Sequence, residues 1–122
     1  MSLCVHVFAL LPDGGSAVLD EGPDVPDAAG AERTRHTLWG SSAVADLGLG
    51  LRFLPTLAWG DLWVGPDGLD GLAADCAAIR DRLAAVAAAT GYTEEFVADR
   101  VGNIAAAVDR ARGVEGGGVV IW

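Results

Sequence analysis

Apolar positions alternate in blocks along this chain, and the period changes from block to block. The run Leu3-Cys4-Val5-His6-Val7-Phe8-Ala9-Leu10-Leu11 is short, rich in β-branched residues and closed by Pro12-Asp13-Gly14-Gly15. That punctuation predicts a strand over about 3–11 ending in a turn. Ser16 to Leu19 has the length of a brief return strand. Asp20 to Ala31 then carries Asp20, Glu21, Asp24 and Asp27 among Gly22, Pro23, Pro26 and Gly30. With its flanks it reads as a mobile acidic loop over about 12–37.

Order returns at Leu38-Trp39. Gly40-Ser41-Ser42 suits the cap of a short helix over about 43–47, stopped by Gly48 and Gly50. Leu51 to Leu57 is ambiguous, because Pro55 argues against a central strand. Residues 58–64, Ala58-Trp59-Gly60-Asp61-Leu62-Trp63-Val64, read as a second strand ended by Gly65-Pro66-Asp67-Gly68.

The helical period is strongest in the second half. Leu69, Leu72, Cys76, Ile79, Leu83 and Val86 share one face of a helix over about 68–90. Asp67 and Asp70 suit its positive end, and Gly91 can end it in the left-handed conformation. Thr93 caps a second helix, over about 94–112, whose first turn holds Glu94 and Glu95 and whose stripe is Val97, Val101, Ile104, Val108 and Ala111. The lone Gly102 suggests close approach to the partner helix. Helices joined by so short a link lie antiparallel. Gly113 and Gly116-Gly117-Gly118 release the chain into Val119-Val120-Ile121-Trp122, a continuous apolar run that belongs in a strand buried on both faces.

The expected fold is therefore α+β. A small sheet of about three strands (about 3–11, 58–64 and 118–122) is covered by an antiparallel helical hairpin in a single domain spanning 1–122.

Composition adjusts this picture in two places. Hydrophobic residues make up 52% of the 122 residues. Much of that is alanine, so four tryptophans must supply much of the buried area. The net charge is −9, and the eight basic residues are all arginine and scattered. Nucleic-acid binding needs clustered cations, so that class is excluded, and an anionic lipid surface is disfavoured in the same way. No apolar run approaches the roughly 20 residues of a membrane span. The apolar N-terminal run lacks the basic flank and cleavage site of a signal peptide. The cytoplasm is thus the expected compartment. The absence of lysine beside abundant Ala, Gly, Arg and Asp suggests a GC-rich bacterial genome.

Candidate chemistry is sparse. Cys4 and His6 share one strand face and with His36 or Cys76 offer zinc-ligand types, but no paired spacing supports a site, so no metal is expected. Ser41 and Ser42 lack the nucleophile-elbow context and read better as helix caps. Gly113 to Gly118 follows a helix and precedes a strand, the reverse of a phosphate loop. The acidic loop does not match calcium-loop spacing. No cofactor is expected, and the sequence leans against an enzyme.

Five residues remain as candidate ligand or partner contacts: Trp39, Trp59, Arg100, Asn103 and His36. Arg100 and Asn103 lie one turn apart beside the second helix's core stripe, placed to bond the Trp122 end or the loop near Trp59, or to line an anion pocket. Among the tryptophans, Trp39 is the one expected at the surface. The leading functional expectation is an acidic interaction module that binds, and in doing so neutralises, a basic protein partner. The alternative is a small-molecule-binding protein or accessory enzyme with a pocket between sheet and hairpin. As an assembly the chain is expected to be a monomer or a homodimer.

Overall fold

A computed structural model describes residues 2–122. Five strands are present: β1 (Ser2–Leu10), β2 (Ser16–Val18), β3 (Ala28–Ala31), β4 (Leu62–Val64) and β5 (Gly117–Ile121). Four helices accompany them: α1 (Ser42–Ala45), α2 (Leu69–Asp81), α3 (Leu83–Thr90) and α4 (Glu94–Arg112). The sheet is antiparallel with order β2-β1-β5-β4, and β3 also pairs with β1. The fold is α+β, as the periodicities predict.

Register explains which residues are inside. Val5 lies opposite Ile121 and Val7 opposite Val119 on one side of β5, while Leu62 and Val64 face the same two residues from the other. These six side chains belong to one buried cluster with Leu3 and the α4 stripe Val97, Val101, Ile104, Val108 and Ala111. Alternation sends His6, Phe8, Val120 and Trp63 to the other face. The sheet is thus roofed by helix on one face only.

The glycine run before β5 is set by close approach. A Cβ on Gly117 would lie 2.1 Å from the Ala111 carbonyl oxygen, so the strand could not pass so near the end of α4 with any larger residue. A Cβ on Gly118 would strike both the Val64 carbonyl and the Phe8 ring. Phe8, directly across from Gly118, uses that gap and is buried.

Several expectations need correction. The segment expected to be a loop over about 12–37 contains β2, β3 and a single π turn at Arg35–Trp39. Its backbone groups find partners along β1: the Val5 amide donates to the Asp27 carbonyl and the Leu19 amide to the Val7 carbonyl. The brief return strand expected after Pro12-Asp13-Gly14-Gly15 is β2. The second strand is shorter than expected, because a 3-10 turn at Leu54–Ala58, with Pro55 near its start, uses the residues before Trp59. The first helix of the hairpin is broken at Arg82, whose φ and ψ of −124° and 35° leave the helical region. Beyond that break α3 packs against α1 as well as α4. Gly102 does not mark a tight helix crossing. Only the tip of Arg80 lies near its would-be Cβ, at an ordinary 3.4 Å.

One buried carboxylate fixes the middle of the chain. Asp75 sits on α2 with 2% exposure and accepts hydrogen bonds from the backbone N–H groups of Arg52, Phe53 and Leu54 at 2.8–2.9 Å. It ties α2 to the 3-10 turn that precedes β4. We expect Asp75→Ala to lower the unfolding free energy by about 3 kcal/mol, since three amide donors lose their acceptor. Asp75→Asn, which keeps one acceptor oxygen, should lose less. Urea titration measures both, and an alanine variant as stable as the parent would contradict this role.

Candidate functional site

The helix-free face of the sheet carries a continuous aromatic row. Phe8 and Trp63 meet edge to face with centroids 5.1 Å apart, Trp63 and Trp122 at 5.5 Å, and Trp122 and His6 at 6.1 Å. Trp122 belongs to this row because it extends β5 by one pair, exchanging backbone hydrogen bonds with Cys4. Trp63 is 46% exposed and Trp122 is 40% exposed. Val18, opposite Phe8, and Leu10 continue the apolar surface and are also exposed.

His6 closes one end of the row. The Trp122 Nε1–H donates to His6 Nδ1 at 2.9 Å, while His6 Nε2 lies 3.1 Å from an Asp27 carboxylate oxygen. An indole nitrogen is only a donor, so Nδ1 must carry a lone pair and Nε2 the proton. The loop containing Asp20, Glu21 and Val25 lies against the same imidazole and lines a hollow of about 110 Å³ with it. Acidic residues therefore border the aromatic row at this end.

The five residues singled out in the sequence do not converge. Trp39 is 1% exposed, which corrects the expectation that it would be the surface tryptophan. It projects inward from the π turn, donates from Nε1 to the Ala29 carbonyl at 2.9 Å, and lines an apolar hollow of about 260 Å³ with Val44, Leu49 and Leu51. Trp59 is instead the most open, at 90%. His36 and Trp59 border one shallow depression with Arg35 and Asp61. Arg100 and Asn103 lie along the other side of α4. Asn103 donates to the Ala28 carbonyl of β3 at 2.9 Å, and Arg100 pairs with Asp99 and sits over the Phe96 ring. Their partners are thus in β3 and α4, not at the Trp122 end or the loop near Trp59.

Sequence reasoning passed over Arg35, whose signal was faint. Its guanidinium is buried and donates to the Leu57 and Gly60 carbonyls while pairing with Asp61 and Glu32. It fastens the π turn to the 3-10 turn and to the start of β4. The pairing of Trp63 with Trp122 was also missed, because neither residue's face could be assigned before register was known. The buried Cys76 thiol is pushed up to about 12, chiefly by burial. A thiol held protonated there is a core group, not a nucleophile.

The chain matches no known family model, no curated protein and no solved structure. Among the described residues no helix is long and apolar enough to cross a membrane.

The His6 geometry is directly testable. Long-range proton–nitrogen NMR spectra should show the Nε2–H tautomer for neutral His6, and replacing Trp122 by Phe should let the Nδ1–H form appear. A dominant Nδ1–H form in the parent protein would contradict the assignment.

Proposed function

We propose that this protein is an acidic interaction module that takes a basic protein partner on the helix-free face of its sheet. The observation that carries this reading is the uncovered aromatic row, Phe8–Trp63–Trp122–His6, flanked by exposed Leu10 and Val18. Contiguous apolar surface of this kind is uncommon without a binding role, and tryptophan is the residue most enriched at the centres of protein interfaces.

The chemistry of the partner follows from charge. The net charge of −9 favours encounter with a cationic surface, most strongly at low salt. Asp27 and the acidic loop lie beside one end of the row. Among the described residues, arginines of this chain stack only on Phe53 and Phe96, so the faces of Trp63 and Trp122 are free of internal cations. An incoming Arg or Lys can meet an indole face and a carboxylate together.

Capture from host lysate tests this, run at low and high salt with Trp63→Ser and Trp122→Ser beside the parent. The expected partner is one protein of basic isoelectric point, lost at high salt and at least about tenfold depleted by either substitution. The reading is overturned if the captured protein is acidic or if capture ignores both tryptophans. It is equally overturned if light scattering shows the face already occupied in a dimer that Trp63→Ser dissociates.

A further inference from the structure

Where β3 meets the beginning of α4, Cys4, Asp27, Arg33, Tyr92, Phe96 and Arg100 are among the residues that line a hollow of about 370 Å³. One wall is a single stack. The Tyr92 and Phe96 rings are nearly parallel with centroids 4.6 Å apart, and the Arg100 guanidinium lies 4.2 Å from the Phe96 centroid. Arg33 and Thr34, from the segment just after β3, also line the hollow. Backbone rather than bulk forms the floor. Gly30 holds a φ of +119°, and a Cβ there would collide with Thr34, whose hydroxyl accepts the Ala31 N–H at 3.0 Å.

Two arginines face this hollow. Acidic residues outnumber arginines 17 to 8 in the whole chain. Among the described residues Arg33 forms no ion pair, whereas Arg35, Arg100, Arg110 and Arg112 do and Arg52, Arg80 and Arg82 do not. Arg100 gives Nη1 to Asp99, and its Nε is buried without an acceptor. A buried donor left without a partner is destabilising, and an acceptor supplied from outside relieves it.

Two ionisable groups of the hollow are shifted from their ordinary values. Burial and then the Asp27 charge push the Cys4 thiol above its ordinary value. Burial pushes the Tyr92 phenol up, but hydrogen bonds with Thr37 and Thr34 and the charge of Arg33 outweigh it, so the phenol lies below its ordinary value.

We infer that this hollow binds a small organic oxyanion, its charged group between Arg33 and Arg100 and its apolar body against the Tyr92–Phe96 wall. Carboxylates and phosphate monoesters share the chemistry that two guanidinium groups recognise. The hollow adjoins the His6 end of the aromatic row through Asp27 and Cys4, and its occupation does not require a protein partner.

Backbone amide and arginine Nε–H shifts, followed in NMR titrations at constant ionic strength, test the inference with three probes of matched body: benzoate, phenyl phosphate and neutral benzyl alcohol. Saturable shifts at Ala28, Gly30, Ala31 and Thr34 and at both arginine side chains are expected for at least one anion, with none for the alcohol. The anion that saturates tells carboxylate from phosphate. Arg33→Gln, at an exposed position, should keep the parent melting temperature and weaken binding about tenfold. Arg100→Gln should do the same, and Arg100→Lys should recover part of the loss. Shifts that stay linear to about 50 mM for both anions, equal response to the alcohol, or binding unchanged in Arg33→Gln would overturn it.

Discussion

Everything in this fold leans on the burial of β5. Val119, Val120 and Ile121 have no exposed surface, although they occupy both faces of the sheet. On one face Val119 and Ile121 meet Val5, Val7, Leu62, Val64 and the apolar stripe of α4. On the other, Val120 lies between His6 and Trp63. A strand covered by helix on one side and by aromatic side chains on the other needs no second helical layer. That is how a short chain with an alanine-rich hairpin builds a core. The glycines before it serve this placement, since Gly117 passes the last turn of α4 and Gly118 accommodates Phe8.

The two sheet faces consequently do different work. The helix-covered face is aliphatic and closed, and its residues are explained by packing alone. The opposite face is aromatic and half open, and packing alone does not explain why Trp63 and Trp122 remain partly in water. Their edge-to-face contacts and the His6 bond fix them as a preformed surface, so little side-chain freedom is lost when something covers it. Ion pairs such as Arg110–Glu21, which tethers the acidic loop to α4, hold the border of this face in place.

Much of the architecture was legible because periodicity reports burial. The stripes of α2 and α4, the Thr93 cap and the continuous apolar run of β5 all carried their meaning locally, and Thr93 accepts the Phe96 amide as a cap should. What was illegible depended on partners distant in sequence. β3 is Ala-Ala-Gly-Ala, with no β-branched residue, and exists because β1 offers it an edge. Asp75 lies beside the apolar stripe, next to Cys76 and four residues before Ile79, and its role depends on the amides of Arg52, Phe53 and Leu54, which are distant in sequence. The tryptophans were misordered for the same reason. Trp39 borders a polar loop in sequence, yet a π turn rotates it inward onto the Ala29 carbonyl. Trp59 follows a 3-10 turn that leaves it outside. Arg100 and Asn103 were recognised as a helix-edge pair, but the strand they face could not be seen.

Native-state hydrogen exchange examines the central role of β5 most directly. The amides of Val119, Val120 and Ile121, with their partners in β1, should exchange only through global unfolding, at the free energy measured by denaturant. Those of β2 and of residues 20–27 should open far below that limit. Exchange of the β5 amides at the rate of the loops, with the helices still protected, would show that the molecule holds together without its central strand and would contradict the account.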